Sequence, residues 1–137
     1  MKESGEMYLE TILVIECRTG QEGAHSIEIV RELGYSKPSV SRAMSKLRQE
    51  GYLSLNTSGR CCLTPKGRKI AETIYERHVM LTDLFRYLGV TEETASRDAC
   101  RIEHVISKET FDCIKAHMRK CGLLTAEDGA QEEEKKD

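Results

Sequence analysis

A chain of 137 residues, 39% hydrophobic and 32% charged, has room for one compact unit or for two small ones that share a core. Its longest apolar run is the four residues 12–15, too short for a membrane span, and MKESGEMY lacks the apolar centre of a signal peptide, so a cytoplasmic protein is expected. The net charge of −2 is divided unevenly: residues 1–35 carry −4, residues 36–70 carry +7, and residues 71–137 carry −5.

The pattern MYLETILVIECR (7–18) predicts a helix with Leu9, Ile12 and Leu13 on its apolar face and Gly20 beyond its end. Ser26 is the expected N-cap of a second helix lined by Ile27, Val30 and Leu33 and closed by Gly34. In YSKPSVSRAMSKLRQEG, Ser36 is an N-cap, Pro38 sits in the first turn where its missing N–H costs nothing, and Gly51 ends the helix. Val40, Ala43, Met44 and Leu47 form its buried stripe, which leaves Ser39, Ser41, Arg42 and Lys46 outward.

Two short helices joined at Gly34-Tyr35 read as a helix-turn-helix, with hydroxyls and cations on the outward face of the second. YLSLNTSGRCCLT then predicts two brief strands around an Asn56–Gly59 turn, a hairpin wing with Arg60 near its tip. The +7 block coincides with this winged helix, which makes double-stranded DNA the expected partner.

Thr64-Pro65 opens a long helix to about Leu88, with Ile70, Ile74, Leu81, Leu84 and Leu88 as its stripe. Thr91 caps a helix through Val105 and Ser107 another through about Cys121. Their apolar surface exceeds what they can bury alone, so a homodimer interface is expected there. The fold class is therefore mainly α with a small β-hairpin, a winged helix-turn-helix plus a helical dimerisation domain. The expected boundaries are 1–72 for DNA binding, 73–124 for metal binding and dimerisation, and 125–137 for a disordered acidic tail.

On the helix expected over 92–105, Ala95, Ala99, Ile102 and Ile106 make the apolar stripe. Beside it, Cys100, Glu103 and His104 stand at i, i+3 and i+4, where a thiolate, a carboxylate and an imidazole can reach one ion. His78 lies on or beside the inward stripe of its own helix, and Met7 and Glu10 are one turn apart on the first. Taken singly, each reads as a core or surface residue; together, three helices offer donors suited to a transition metal.

The runs MYLETI (7–12), LGYSKPSVSRAMSKLRQEGYL (33–53), LTPKGRKIAETIYERH (63–78) and DACRIEHVIS (98–107) resemble the diphtheria-toxin-repressor and manganese-transport-regulator family of metal-dependent transcription factors. That resemblance implies a winged helix, a helical dimerisation part and a divalent-metal site held by Met7, Glu10, His78, Cys100, Glu103 and His104. It also implies repression of metal-uptake genes and the short architecture without an SH3-like domain. Met7 and Cys100 match the iron-responsive branch, Glu10 matches the manganese branch, and Ser96 stands where the iron branch has a further histidine.

Thioether and thiolate are soft donors, which favours Fe²⁺ with Mn²⁺ as the alternative. Ser36, Pro38, Ser39 and Arg42 are the expected base-edge contacts, and Lys37, Lys46, Arg60 and Lys66 the expected phosphate contacts. The rival readings are a metal-independent regulator that senses redox state or a small molecule through Cys61, Cys62 or Cys100, and, more remotely, a metal-assisted hydrolase using Cys100, Glu103 and His104.

Overall fold

The computed structural model describes residues 1–123, so the expected tail from 125 lies outside the described residues. The chain divides into two compact units, Met1–Glu76 and Arg77–Asp137. Helix α1 (Glu3–Thr19) starts four residues before the expected position, with Glu3 and Glu6 in its first turn, where the helix dipole favours anions. Gly20 closes it with a left-handed φ of 71°.

Helix α2 (Ser26–Leu33) corrects one expectation: its N-cap is His25 and not Ser26. Glu28, at the third helical position, accepts the His25 N–H at 3.0 Å, so the boundary forms one residue earlier than the serine suggests. Helix α3 (Lys37–Gln49) follows the expected chemistry. Ser36 Oγ accepts the Ser39 N–H, Pro38 occupies the first turn, and Val40, Met44 and Leu47 are buried. Between α2 and α3, Gly34 takes φ 71° and donates its N–H to Val30 O at 2.8 Å.

Strands β1 (Leu53–Leu55) and β2 (Cys61–Leu63) pair antiparallel in the register Leu53↔Leu63, Ser54↔Cys62, Leu55↔Cys61. Cys61 also bridges to Ala24 through two backbone hydrogen bonds of 2.8 and 2.9 Å, which ties the wing to the segment before α2. Leu9, Ile12, Ile15, Ile29 and Val40 are completely buried with Leu53, Leu63 and Ala71 around them. Each large aliphatic removed from water contributes about 1.5–3 kcal/mol, so this cluster sets how the helix-turn-helix and the wing are held together.

Helix α4 (Pro65–Tyr87) gives its first half to this unit and its second half to the other. Leu88, expected on its stripe, follows the last helical residue and is 67% exposed. In the second unit, α6 (Lys108–Lys120) packs on the second half of α4 around Met80, Phe111 and Met118, while α5 (Glu92–Ile102) buries Ala95 and Ala99. Ser107 caps α6 as expected, accepting the Thr110 N–H at 3.1 Å.

Helix α5 stops three residues short of its expected end. The N–H groups of Val105 and Ile106 both reach Ile102 O at 3.0 Å, and the chain must become extended at Ser107 to cap α6. None of these helices is long and apolar enough to cross a membrane.

Gly23 has φ 72°, and a Cβ there would meet Cys61 O at 2.5 Å and Cys62 Sγ at 2.8 Å. Gly23→Ala is expected to lower unfolding stability by about 1–3 kcal/mol through backbone strain and overlap. Urea unfolding of the variant measures the loss, and an unchanged midpoint would show that the wing yields there.

Candidate metal centre and DNA-reading helix

The turn after α5 builds the polar centre of the second unit. Because α5 ends at Ile102, Glu103 and His104 leave from a tightened last turn rather than from a continuous helix face. Glu103 turns inward and is 1% exposed, while Cys100 stays at the surface and His104 is half-buried. The Glu103 carboxylate lies between two imidazoles: Oε2 is 2.9 Å from His78 Nδ1, and Oε1 is 3.4 Å from His104 Nε2. Cys100 Sγ lies 3.6 Å from the same His78 Nδ1.

The donor atoms of His78, Cys100 and Glu103 all fall within 4.8 Å of one another. A cation bonded tetrahedrally to sulfur at about 2.3 Å and to nitrogen at about 2.0 Å leaves those donors about 3.5 Å apart. The Cys100–His78 spacing of 3.6 Å is close to that separation. One nitrogen, one sulfur and one buried carboxylate oxygen also match the mixed N/S/O chemistry such ions take.

Cys100, followed by Glu103, holds the His78 imidazolium well above its usual value, up to about 10, against the opposing effect of burial. A proton so held stabilises the fold fully below about pH 6.5, and that contribution is lost as the pH rises toward about 10.

Met7 and Glu10 belong to the first unit, one turn apart and half-buried on α1. The Tyr35 hydroxyl donates to Met7 Sδ at 3.8 Å, a contact that no periodicity in the sequence announced.

The expected base-edge residues Ser36, Pro38, Ser39 and Arg42 share one surface of the first unit with the expected phosphate contacts Lys37 and Lys46. Ser36, Lys37, Pro38, Arg42 and Lys46 are exposed, and Ser39 is half-exposed. Ser36 Oγ and Ser39 Oγ lie 2.8 Å apart, and Arg42 Nη2 donates to Ser39 Oγ at 3.5 Å, a weak contact that leaves the guanidinium fork accessible. Lys66 is exposed, but its ammonium donates to Glu50 O at 3.0 Å and sits 4.1 Å above the Tyr52 ring, which closes the C-terminal end of α3.

Arg60 corrects its expected role at the wing tip. It is 8% exposed, its Nε donates to Glu22 O at 2.9 Å, its Nη2 donates to Gly23 O at 2.8 Å, and Nη1 pairs with Glu28 at 3.2 Å. A guanidinium committed to these interior acceptors is an internal strut and not a phosphate contact. Burial also raises the thiols of Cys61 and Cys62, which makes the two wing cysteines packing residues poorly suited to redox sensing.

Comparison with known proteins meets this geometry from both ends of the chain. Residues 1–59 match the family model of the iron-dependent repressor N-terminal DNA-binding domain, and residues 64–122 match that of the iron-dependent repressor metal-binding and dimerisation domain. The chain belongs to the iron-dependent repressor family.

It is 32% identical to the transcriptional regulator MntR of Salmonella typhimurium over 115 residues, 84% of this chain and 72% of that protein. It is 35% identical to the HTH-type transcriptional regulator MntR of Geobacillus kaustophilus over 111 residues, 81% of this chain and 77% of that one. Its fold is shared with a manganese-dependent transcriptional repressor solved in complex with manganese, at a TM-score of 0.75 and 23% identity, over 88% of this chain and 53% of that one. The chain thus spans about half the length of that structure.

Membership of the repressor family makes this chain a metal-dependent DNA-binding transcriptional regulator whose C-terminal unit corresponds to a dimerisation domain. The exposed Tyr87, Leu88 and Val105 of that unit are apolar surface of the kind such a domain covers.

Two measurements follow from the residues above. Cation uptake at about pH 7.5 is expected to release about one proton from His78, and apparent affinity should climb with pH. Calorimetry in buffers of different ionisation enthalpy reads the release; an undiminished value in His78→Gln would assign the proton elsewhere. Arg60→Ala should lower unfolding stability by about 1–3 kcal/mol while leaving the salt slope of DNA binding unchanged. A shallower slope would return Arg60 to the phosphate backbone.

Proposed function

We infer that this regulator is a cytoplasmic homodimer that reads a pseudo-palindromic operator and represses metal-ion uptake genes when a divalent metal is bound. The observation that carries the reading is the meeting of His78, Cys100 and Glu103 in a chain whose other unit is a winged helix. His104 and, from the first unit, Met7 and Glu10 complete the proposed ligand set.

When bound, the cation supplies bonds that hold only while its ligands keep their places. The residues themselves do the rest. Glu103 and His78, now hydrogen-bonded to each other, would both hold the cation, and Met7 and Glu10 would tie to it the helix on which the helix-turn-helix core is packed. Two α3 helices of a dimer must match the separation of two half-sites, so restricting their placement raises operator affinity. A coupling of 1–3 kcal/mol corresponds to roughly 5–150-fold.

Ser36, Pro38, Ser39 and Arg42 are assigned to base edges, and Lys37, Lys46 and Lys66 to phosphates. Arg42 has the fork for bidentate pairing with a guanine, for about 1–3 kcal/mol of discrimination. A sulfur donor disfavours Mn²⁺ relative to Fe²⁺, so Fe²⁺ is the proposed effector, with Mn²⁺ second. The proposed role involves no catalysis.

Anaerobic anisotropy titrations of operator DNA with Fe²⁺, Mn²⁺, Zn²⁺ and chelator test the reading. Affinity should rise with metal and fall with chelator in the native protein, and the dependence should vanish in Cys100→Ala and His104→Ala. A tenfold preference for Mn²⁺ over Fe²⁺ would overturn the choice of iron. Arg42→Ala should relax preference at one base pair of each half-site; equal weakening on every sequence would make Arg42 a backbone contact.

A further inference from the structure

Arg77 stands immediately before His78 on α4. Its Nη1 donates to two backbone carbonyls of the turn after α5, Glu103 O and Ile106 O, each at 3.1 Å. Its guanidinium carbon lies 5.6 Å from the centre of the Phe111 ring of α6. One side chain therefore joins the middle of α4, the exit of α5 and the first turn of α6. Carbonyls at a helix C-terminus carry partial negative charge and lack intrahelical donors, and a half-buried guanidinium suits both needs.

The placement matters because consecutive residues of α4 grip the same glutamate at its two ends. His78 meets the Glu103 carboxylate at 2.9 Å, and Arg77 holds the Glu103 carbonyl at 3.1 Å. Glu103 thus has its backbone and its carboxylate fixed before any cation arrives, and His104, the next residue, is carried by the same turn. The carbonyl bonded to Arg77 already has a donor, which leaves the carboxylate as the group of Glu103 turned toward Cys100 and His78.

We propose that Arg77 is a positioning residue of the metal centre, whose grip on the Glu103 and Ile106 carbonyls sets the spacing of the donor set and thereby which cation it accepts. This rests on the ligand reading given above for His78, Cys100, Glu103 and His104. Outer residues that orient ligands typically change metal affinity by about 10–100-fold when removed. A turn held at fixed spacing discriminates between ions that differ in preferred bond length, and a relaxed turn adapts to each.

The test compares native protein with Arg77→Met and Arg77→Lys by DNA-free calorimetric titration with Zn²⁺ and with Mn²⁺, alongside the thermal midpoint of metal-free protein. Cobalt substitution adds a spectroscopic reading of ligand geometry. Arg77→Met is expected to lose about 10–100-fold in affinity for the tighter-binding ion, to lose less for the other, and to shift the cobalt spectrum. Arg77→Lys, which keeps a cation able to reach a carbonyl, should recover part of the loss.

A simple packing role would lower the thermal midpoint and reduce both affinities by the same factor with the cobalt spectrum unmoved, and that result overturns the proposal. Unchanged affinities in both variants overturn it as well. His78→Ala and Cys100→Ser separate the two layers of argument: if they bind metal like the native protein, the ligand reading itself is wrong and the role of Arg77 goes with it. If they fail to bind while Arg77→Met binds normally, the ligand reading stands and only the positioning role is lost.

Discussion

A carboxylate withdrawn almost completely from water needs partners, and the second unit is arranged around that requirement. Glu103 is 1% exposed and answered by His78 and His104 at its oxygens and by Arg77 at its carbonyl. Removing such partners leaves a buried charge uncompensated, which is far more costly than the modest net worth of the pairs themselves. The same anion that needs the imidazoles for stability is the hard donor of a mixed N/S/O set. Structural necessity and ligand chemistry therefore fall on one residue, and the turn from Ile102 to Ser107 exists to deliver it inward.

The first unit solves a different problem. Its outer helix face has to remain free for DNA, so rigidity has to come from behind. Ser36 and Pro38 start α3 without drawing on its exposed cations, and Lys66 closes the other end with one hydrogen bond and a ring contact. Beneath, Arg68 pairs with Glu16 at 2.9 Å, and Glu16 also accepts the Gly23 N–H at 2.8 Å. The start of α4, the end of α1 and the loop before α2 thus share one carboxylate. The hydrophobic cluster of Leu9, Ile12, Ile15, Ile29 and Val40 does the remaining work, since none of these polar ties excludes water from the centre.

Much of this was legible in the sequence because the signals were local. The stop at Gly34, the Ser36 cap with Pro38, the hairpin and the Ser107 cap each depend on residues within one or two turns of chain. The hidden parts depend on distant partners. Arg60 looked like a wing-tip cation because its acceptors, Glu22, Gly23 and Glu28, lie more than thirty positions earlier. Arg77 was unreadable for the same reason, its two carbonyls being 26 and 29 residues onward. The shortened α5 is a related failure: helical spacing from Cys100 to His104 put three donors on one face, whereas the fold obtains their proximity by ending the helix between them. His25 replaced Ser26 as a cap because a glutamate at the right spacing outweighed the more usual residue type.

The interior anchoring of Arg60 has a further consequence for how this molecule can change. With the guanidinium spent inside, the hairpin is fastened to α2 just beside its turn, and its outermost residues, Thr57, Ser58 and Gly59, are exposed and carry no charge. The wing is thus a rigid mount with a blank tip. Substitutions there can introduce or remove cations, and so tune grip on the flanks of a binding site, without disturbing either the scaffold or the side chains assigned to reading bases.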